Sequence, residues 1–167
     1  MNSARENSGA SWLSSWWPAI VWAILISAFS TGVFSSEHTS RYILPLLQWI
    51  FPHASHHTLA LLHHLLRKGG HVGEYFVLSL FLLRGIRAGR REAHLTWALL
   101  VITMVAGYAA LDEWHQSWTP GRGSLELSDI LLDTTAGAGG QIIAAVAVLA
   151  LRKRERPAPK PEILAAK

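Results

Sequence analysis

The stretch Tyr108-Ala109-Ala110-Leu111-Asp112-Glu113-Trp114-His115-Gln116-Ser117-Trp118-Thr119-Pro120-Gly121-Arg122-Gly123 decides how this chain is read. It closes an apolar run, Leu95 to Leu111, that is too hydrophobic for the surface of a water-soluble fold. Two adjacent carboxylates, a histidine and a carboxamide follow, and then a Pro-Gly turn that carries Arg122. Charges at the end of such a run are costly in or near a bilayer unless each has a partner or water. A turn at this place can fold Arg122 back over Asp112 and Glu113.

Outward from that stretch, the 167 residues are half hydrophobic and only 16% charged, which by size makes one domain. The hydrophobic residues gather in four runs: Trp17 to Phe34, Gly70 to Ile86, Leu95 to Leu111, and Ile130 to Leu151. Each approaches the roughly 20 residues that cross a hydrocarbon core of about 30 Å. In lipid such runs must be helical, because every backbone N–H needs a partner within its own segment. The expected fold is therefore all-α: a polytopic membrane protein with four transmembrane helices. The first run exceeds the roughly 7–15 residues of a secretory leader's apolar core, so it reads as a retained helix. Trp16, Trp17 and Trp22 suit an aromatic belt at its start.

Between the first two runs, Arg41 to Phe51 places Tyr42, Leu46, Trp49 and Ile50 at helical spacing around Pro45. Ser55 to Arg67 opens with an N-cap residue and carries leucines and paired histidines. These read as one or two interfacial helices, the second leading into the second span at Lys68-Gly69-Gly70-His71. Residues 1–15 are expected to be a flexible leader to a membrane domain over 16–152. The tail, 153–167, with Pro157, Pro159 and Pro161, reads as disordered.

The formal net charge is +4, and the basic residues flank the apolar runs. They are topology signals and do not indicate nucleic acid as a partner. Arg84, Arg87, Arg90 and Arg91 follow the second run; Arg152, Lys153, Arg154, Arg156 and Lys160 follow the fourth; the third connection has only Arg122. Both termini are expected on the cytoplasmic side and the Asp112–Gln116 stretch outside. There is no cysteine, which excludes disulfides and thiolate chemistry.

That topology brings three polar stripes to one membrane surface. Lys68, His71 and Tyr75 share a face at the start of the second span. Asp112 and Gln116, with Tyr108 a turn earlier, line the end of the third. Asp129 and Asp133, continued by Gly137 and Gln141, open the fourth. Asp129 can equally serve as a helix cap or a macrodipole partner, whereas Asp133 lies a turn deeper and points to a buried network. Gly137, Gly139 and Gly140 suit close helix packing. The nine histidines, among them His57, His64 and His71 about seven apart, lack the ligand spacing of a strong zinc motif. No metal or other cofactor is expected.

Lys68-x-x-His71-x-x-x-Tyr75, then Asp112-Glu113-x-x-Gln116 with Pro120-Gly121-Arg122, then Asp129 ahead of a small-residue helix, together resemble the VanZ-like family. The resemblance runs from about Ile20 to Leu151. It implies a small multi-pass protein of the bacterial cytoplasmic membrane, and its founding member is associated with low-level teicoplanin resistance. This chain departs from the family pattern at Asp133, where Asn is frequent, and at Ala136, where Gly is common.

The leading functional expectation is a binding protein for an anionic envelope lipid or lipid-linked precursor at the outer face, through Lys68, His71, Tyr75, Asp112, Glu113, Gln116, Arg122, Asp129 and Asp133. The alternative is a membrane hydrolase or transferase, with Asp112 or Glu113 as base and His71 or His115 as acid. A proton-coupled transporter ranks third, because the chain shows no internal repeat. A homo-oligomer is compatible with all three.

Because the chain has no cysteine, the topology is directly testable with introduced thiols. In intact cells a membrane-impermeant maleimide should label Trp118→Cys, and Ala93→Cys only after lysis. The reverse pattern would invert the topology.

Overall fold

The structure is a computed structural model that describes residues 2–30, 36–90, 92, 94–118 and 125–155. Its elements are helices α1 (Asn2–Phe29), α2 (Ser36–Ile50), α3 (His56–Arg87), α4 (Leu95–Ser117) and α5 (Leu127–Glu155). No strand occurs among the described residues. Residues 156–167, most of the expected disordered tail, lie outside them.

Among the described residues, three helices are long and apolar enough to cross a membrane: Trp12–Phe29 within α1, Leu95–Ser117, and Leu127–Arg154 within α5. The sequence suggests a fourth span in α3, but this helix does not meet the same standard. The cause lies in its own residues, since Lys68, His71 and Glu74 interrupt the leucine-rich stretches on either side.

The chain also departs from expectation before that span. The interfacial helix expected over Ser55 to Arg67 is continuous with the following apolar run, so α3 is one helix of 32 residues. Ser55 caps it, its hydroxyl accepting the Thr58 N–H at 3.1 Å. Nothing in the sequence forces a break at Gly69-Gly70, because glycine weakens a helix by only about 1 kcal/mol relative to alanine and no proline follows. At about 1.5 Å per residue, α3 is longer than a hydrocarbon core is thick. α2 stays separate, kept apart from α3 by the turn around Pro52. Its Tyr42 and Trp49 are 76% and 80% exposed, an arrangement that suits the headgroup layer.

α3 is the hub of the bundle. It packs against α1, α2, α4 and α5, and α4 packs against α5. The seams between them bury Ile26, Tyr75, Leu78, Val101, Val105, Ala109 and Ala136. The outward faces carry Ile24, Leu100, Leu111, Leu131, Ile142, Val146 and Leu149, all at least half exposed. Apolar surface of that extent is suited to lipid and not to water.

Without a hydrophobic drive between helices in lipid, the approach of two backbones depends on small residues. A Cβ on Gly140 would run into Ser79 Oγ and come within 3.1 Å of the Phe76 carbonyl oxygen. One on Gly137 would lie 2.8 Å from Val105 Cγ1. By contrast, Gly139 has nothing within 4 Å of that position. Gly140 therefore sets how closely α5 lies on α3. Gly140→Ala should cost about 1–3 kcal/mol of stability through overpacking, while Gly139→Ala should cost none. Thermal unfolding in detergent micelles separates the two; equal effects would show that the α3–α5 approach is not the constraint.

Candidate functional site

The polar stripes read from the sequence do meet, at the end of the bundle where α1 and α4 finish and α5 begins. Tyr75 on α3 is fully buried, and its hydroxyl donates to Asp112 Oδ2 on α4 at 3.1 Å. Gln116, one turn further along α4, donates to the same oxygen at 2.9 Å. The other N–H of that carboxamide reaches Ser30 Oγ, just past the end of α1, at 3.1 Å. Asp112 and Gln116 are 7% and 5% exposed. A single carboxylate oxygen thus takes two donors and, through Gln116, ties three helices together.

Above this network lies a more open layer. Lys68 Nζ and Asp129 Oδ1 are 3.2 Å apart, joining α3 to the first turn of α5, with both side chains about one-third exposed. His71 Nδ1 is 4.0 Å from Glu74 Oε2, both half-buried. Glu113 Oε1 accepts the backbone N–H of Glu126 at 2.9 Å, fastening the end of α4 to the approach to α5. Asp133, 6% exposed, lies among Asp112, Asp129, Glu74 and Glu113, close enough to feel each of their charges. Its Oδ1 is buried and has no hydrogen-bond partner among the described residues.

The structure sorts the sequence candidates. It brings together Lys68, His71, Tyr75, Asp112, Glu113, Gln116, Asp129 and Asp133. His115 does not join them, being exposed on α4 with no polar contact to the cluster among the described residues. Arg122, with Pro120 and Gly121, lies outside the described residues. Tyr108 faces α1: its hydroxyl donates to the Ala23 carbonyl at 2.6 Å and pairs with Ser27 at 2.7 Å. Gln141, deeper on α5, donates to the Ser79 carbonyl at 3.1 Å and belongs to the helix seam.

Two participants were not singled out by sequence reasoning. Ser30 is an ordinary serine after an apolar run, with no signal to find it by. Glu74 stands in the Lys68-x-x-His71-x-x-Glu74 pattern, so its spacing could have found it. Its backbone carbonyl also accepts the Trp22 indole N–H at 2.9 Å, which pins α1 beside the site.

The histidines of the first half are spread over α2, α3 and the turn between them. Burial, then the charge of Arg67 and the neighbouring His64, push His63 below the ordinary histidine value. Among the described residues no three histidines or carboxylates are grouped to hold a metal ion.

A bundle of apolar helices with a paired polar network at one end is the architecture of a small helical membrane protein. The VanZ/LLP1 family model matches residues 15–149, most of the chain, and the chain belongs to that family. No curated protein and no solved structure matches it.

The network makes a direct prediction. Tyr75→Phe removes one of the two donors to Asp112 Oδ2 and should cost about 1–3 kcal/mol. Asp112→Ala should cost more, since it strands both Tyr75 and Gln116. Chemical or thermal unfolding in micelles reads both. A Tyr75→Phe variant as stable as the parent would remove the hydroxyl from the network.

Proposed function

We propose that this protein is a four-span membrane protein, with α3 as its fourth span, that binds the headgroup of an anionic envelope lipid or lipid-linked precursor at the outer face of the cytoplasmic membrane. The observation that carries this reading is the two-layer site. A lysine about one-third exposed pairs with Asp129 at the start of α5, and one turn further along α5 Asp133 has a buried carboxylate oxygen without a partner among the described residues. A phosphate suits Lys68, which Asp129 holds in place. A hydroxyl or ammonium donor on the same headgroup suits Asp133 Oδ1, whose lack of a partner is costly in an apolar bundle. The flanking surface is apolar, so a lipid-borne ligand reaches the site from the side without leaving the membrane.

On this reading α3 crosses despite its polar residues because α1, α4 and α5 surround its site-bearing face. A polar helix at the centre of a bundle is screened from lipid by its neighbours. The basic residues after α3 and α5 face the cytoplasm. A role in glycopeptide (teicoplanin-type) resistance or envelope maintenance would follow from occupying or shielding such a precursor.

The test is native mass spectrometry of the protein released from nanodiscs made with bacterial membrane lipid. The wild-type protein should retain a phosphorylated lipid or precursor. Lys68→Gln should lose it about tenfold, the effect of one charge-assisted pair. Equal retention by both proteins would sink the reading.

A further inference from the structure

The opposite end of the bundle carries a second polar anomaly. A cleft of about 320 Å³ opens between α3, α4 and α5, and its apolar walls are Leu83, Leu95, Ala98, Ala145 and Leu149. That volume is at the small end of the roughly 300–1,000 Å³ typical of ligand sites. Arg87, the last residue of α3, also lines the cleft, with His94 and Gln141. The Arg87 Nε is buried and has no hydrogen-bond partner among the described residues.

A cation in the last turn of a helix favours the macrodipole, which accounts for a basic residue at this position. It does not account for a guanidinium turned inward with a buried donor unsatisfied, since such a donor is costly. Its neighbours are differently occupied. Arg84 donates to the Ser14 carbonyl at 3.0 Å, and Arg90 lies 5.7 Å from the Trp97 ring centre. The final turn of α5 adds Arg152, Lys153 and Arg154, so the cleft opens at the positively charged end of the molecule.

We propose that this cleft is a binding site for an anionic phospholipid of the leaflet that the basic end faces. The phosphate sits on Arg87, and one acyl chain lies along the apolar walls. Three features favour this occupant. Arginine's planar fork matches a phosphate and is less strongly hydrated than an ammonium. Basic pockets between membrane helices on the cytoplasmic side hold anionic headgroups. A cleft lined by leucine and alanine in a lipid-surrounded bundle is filled by hydrocarbon. The site is separate from the Lys68–Asp133 cluster and does not depend on what that cluster binds.

The test uses nanodiscs with equal phosphatidylglycerol and phosphatidylethanolamine, and counts lipids retained by native mass spectrometry. The wild-type protein should hold one phosphatidylglycerol in preference to phosphatidylethanolamine. Arg87→Gln should reduce that retention about tenfold, as expected for one charge-assisted contact. Ala145→Phe, which fills the cleft from α5 and keeps Arg87, should reduce it as well and decides the matter if Arg87→Gln does not fold. Arg84→Gln should leave it unchanged. Equal retention of the two lipids would overturn the proposal, as would undiminished phosphatidylglycerol in Ala145→Phe or in a folded Arg87→Gln. A loss in Arg84→Gln as large as in Arg87→Gln would reduce the effect to diffuse surface charge and overturn it too.

Discussion

A carboxylate inside a bundle that lipid surrounds must find its donors among its own helices, and Asp112 is the residue on which this constraint bears most heavily. Water is excluded from a side chain 7% exposed, so Tyr75 and Gln116 take its place as hydrogen-bond donors. Each of those donors has to come from a definite rotation of its helix. The pairing of one oxygen therefore fixes α3 against α4, and the second N–H of Gln116 brings in the end of α1 through Ser30. Van der Waals contact alone would allow apolar helices to slide or rotate at little cost. The hydrogen-bonded network sets register, and Gly140 then sets distance, because α5 can approach α3 only where no Cβ intervenes.

Much of this was legible in the sequence because membrane helices write their length and their charges plainly. The apolar runs located α1, α4 and α5, and residue spacing placed Asp112 and Gln116 on one stripe and Asp129 and Asp133 on another. Two things were less legible. Hydropathy cannot say whether two adjacent segments form one helix or two, so Ser55 to Arg67 read as a separate interfacial piece although it is the first part of α3. Nor does spacing along one helix reveal a partner on another. Ser30 enters the network only because α1 ends beside Gln116, and Arg87 is distinctive only because its Nε is turned into a cleft. The same limit explains His115. It stands between Trp114 and Gln116 in the sequence, but successive residues on a helix point about 100° apart, and its side chain leaves the face that Asp112 and Gln116 share.

The site combines polar groups that are engaged with others that are not. One oxygen of each carboxylate in the Asp112-Glu113 pair already accepts a hydrogen bond. Asp112 Oδ2 accepts two side-chain donors, and Glu113 Oε1 accepts the Glu126 N–H. His115, one of the two acid candidates, is exposed away from the cluster. What the site does offer is asymmetric: a cation at the mouth and, a turn of α5 deeper, an acceptor without a donor. Asparagine at position 133 would bring its own N–H groups to its neighbours. Aspartate brings only acceptors into a place already surrounded by Asp112, Asp129, Glu74 and Glu113. Such a position calls for a donor or positive group beyond those that the described residues supply. Under the proposed reading, a phosphate alone would answer Lys68, and a phosphate with a donor beside it would answer Lys68 and Asp133 together.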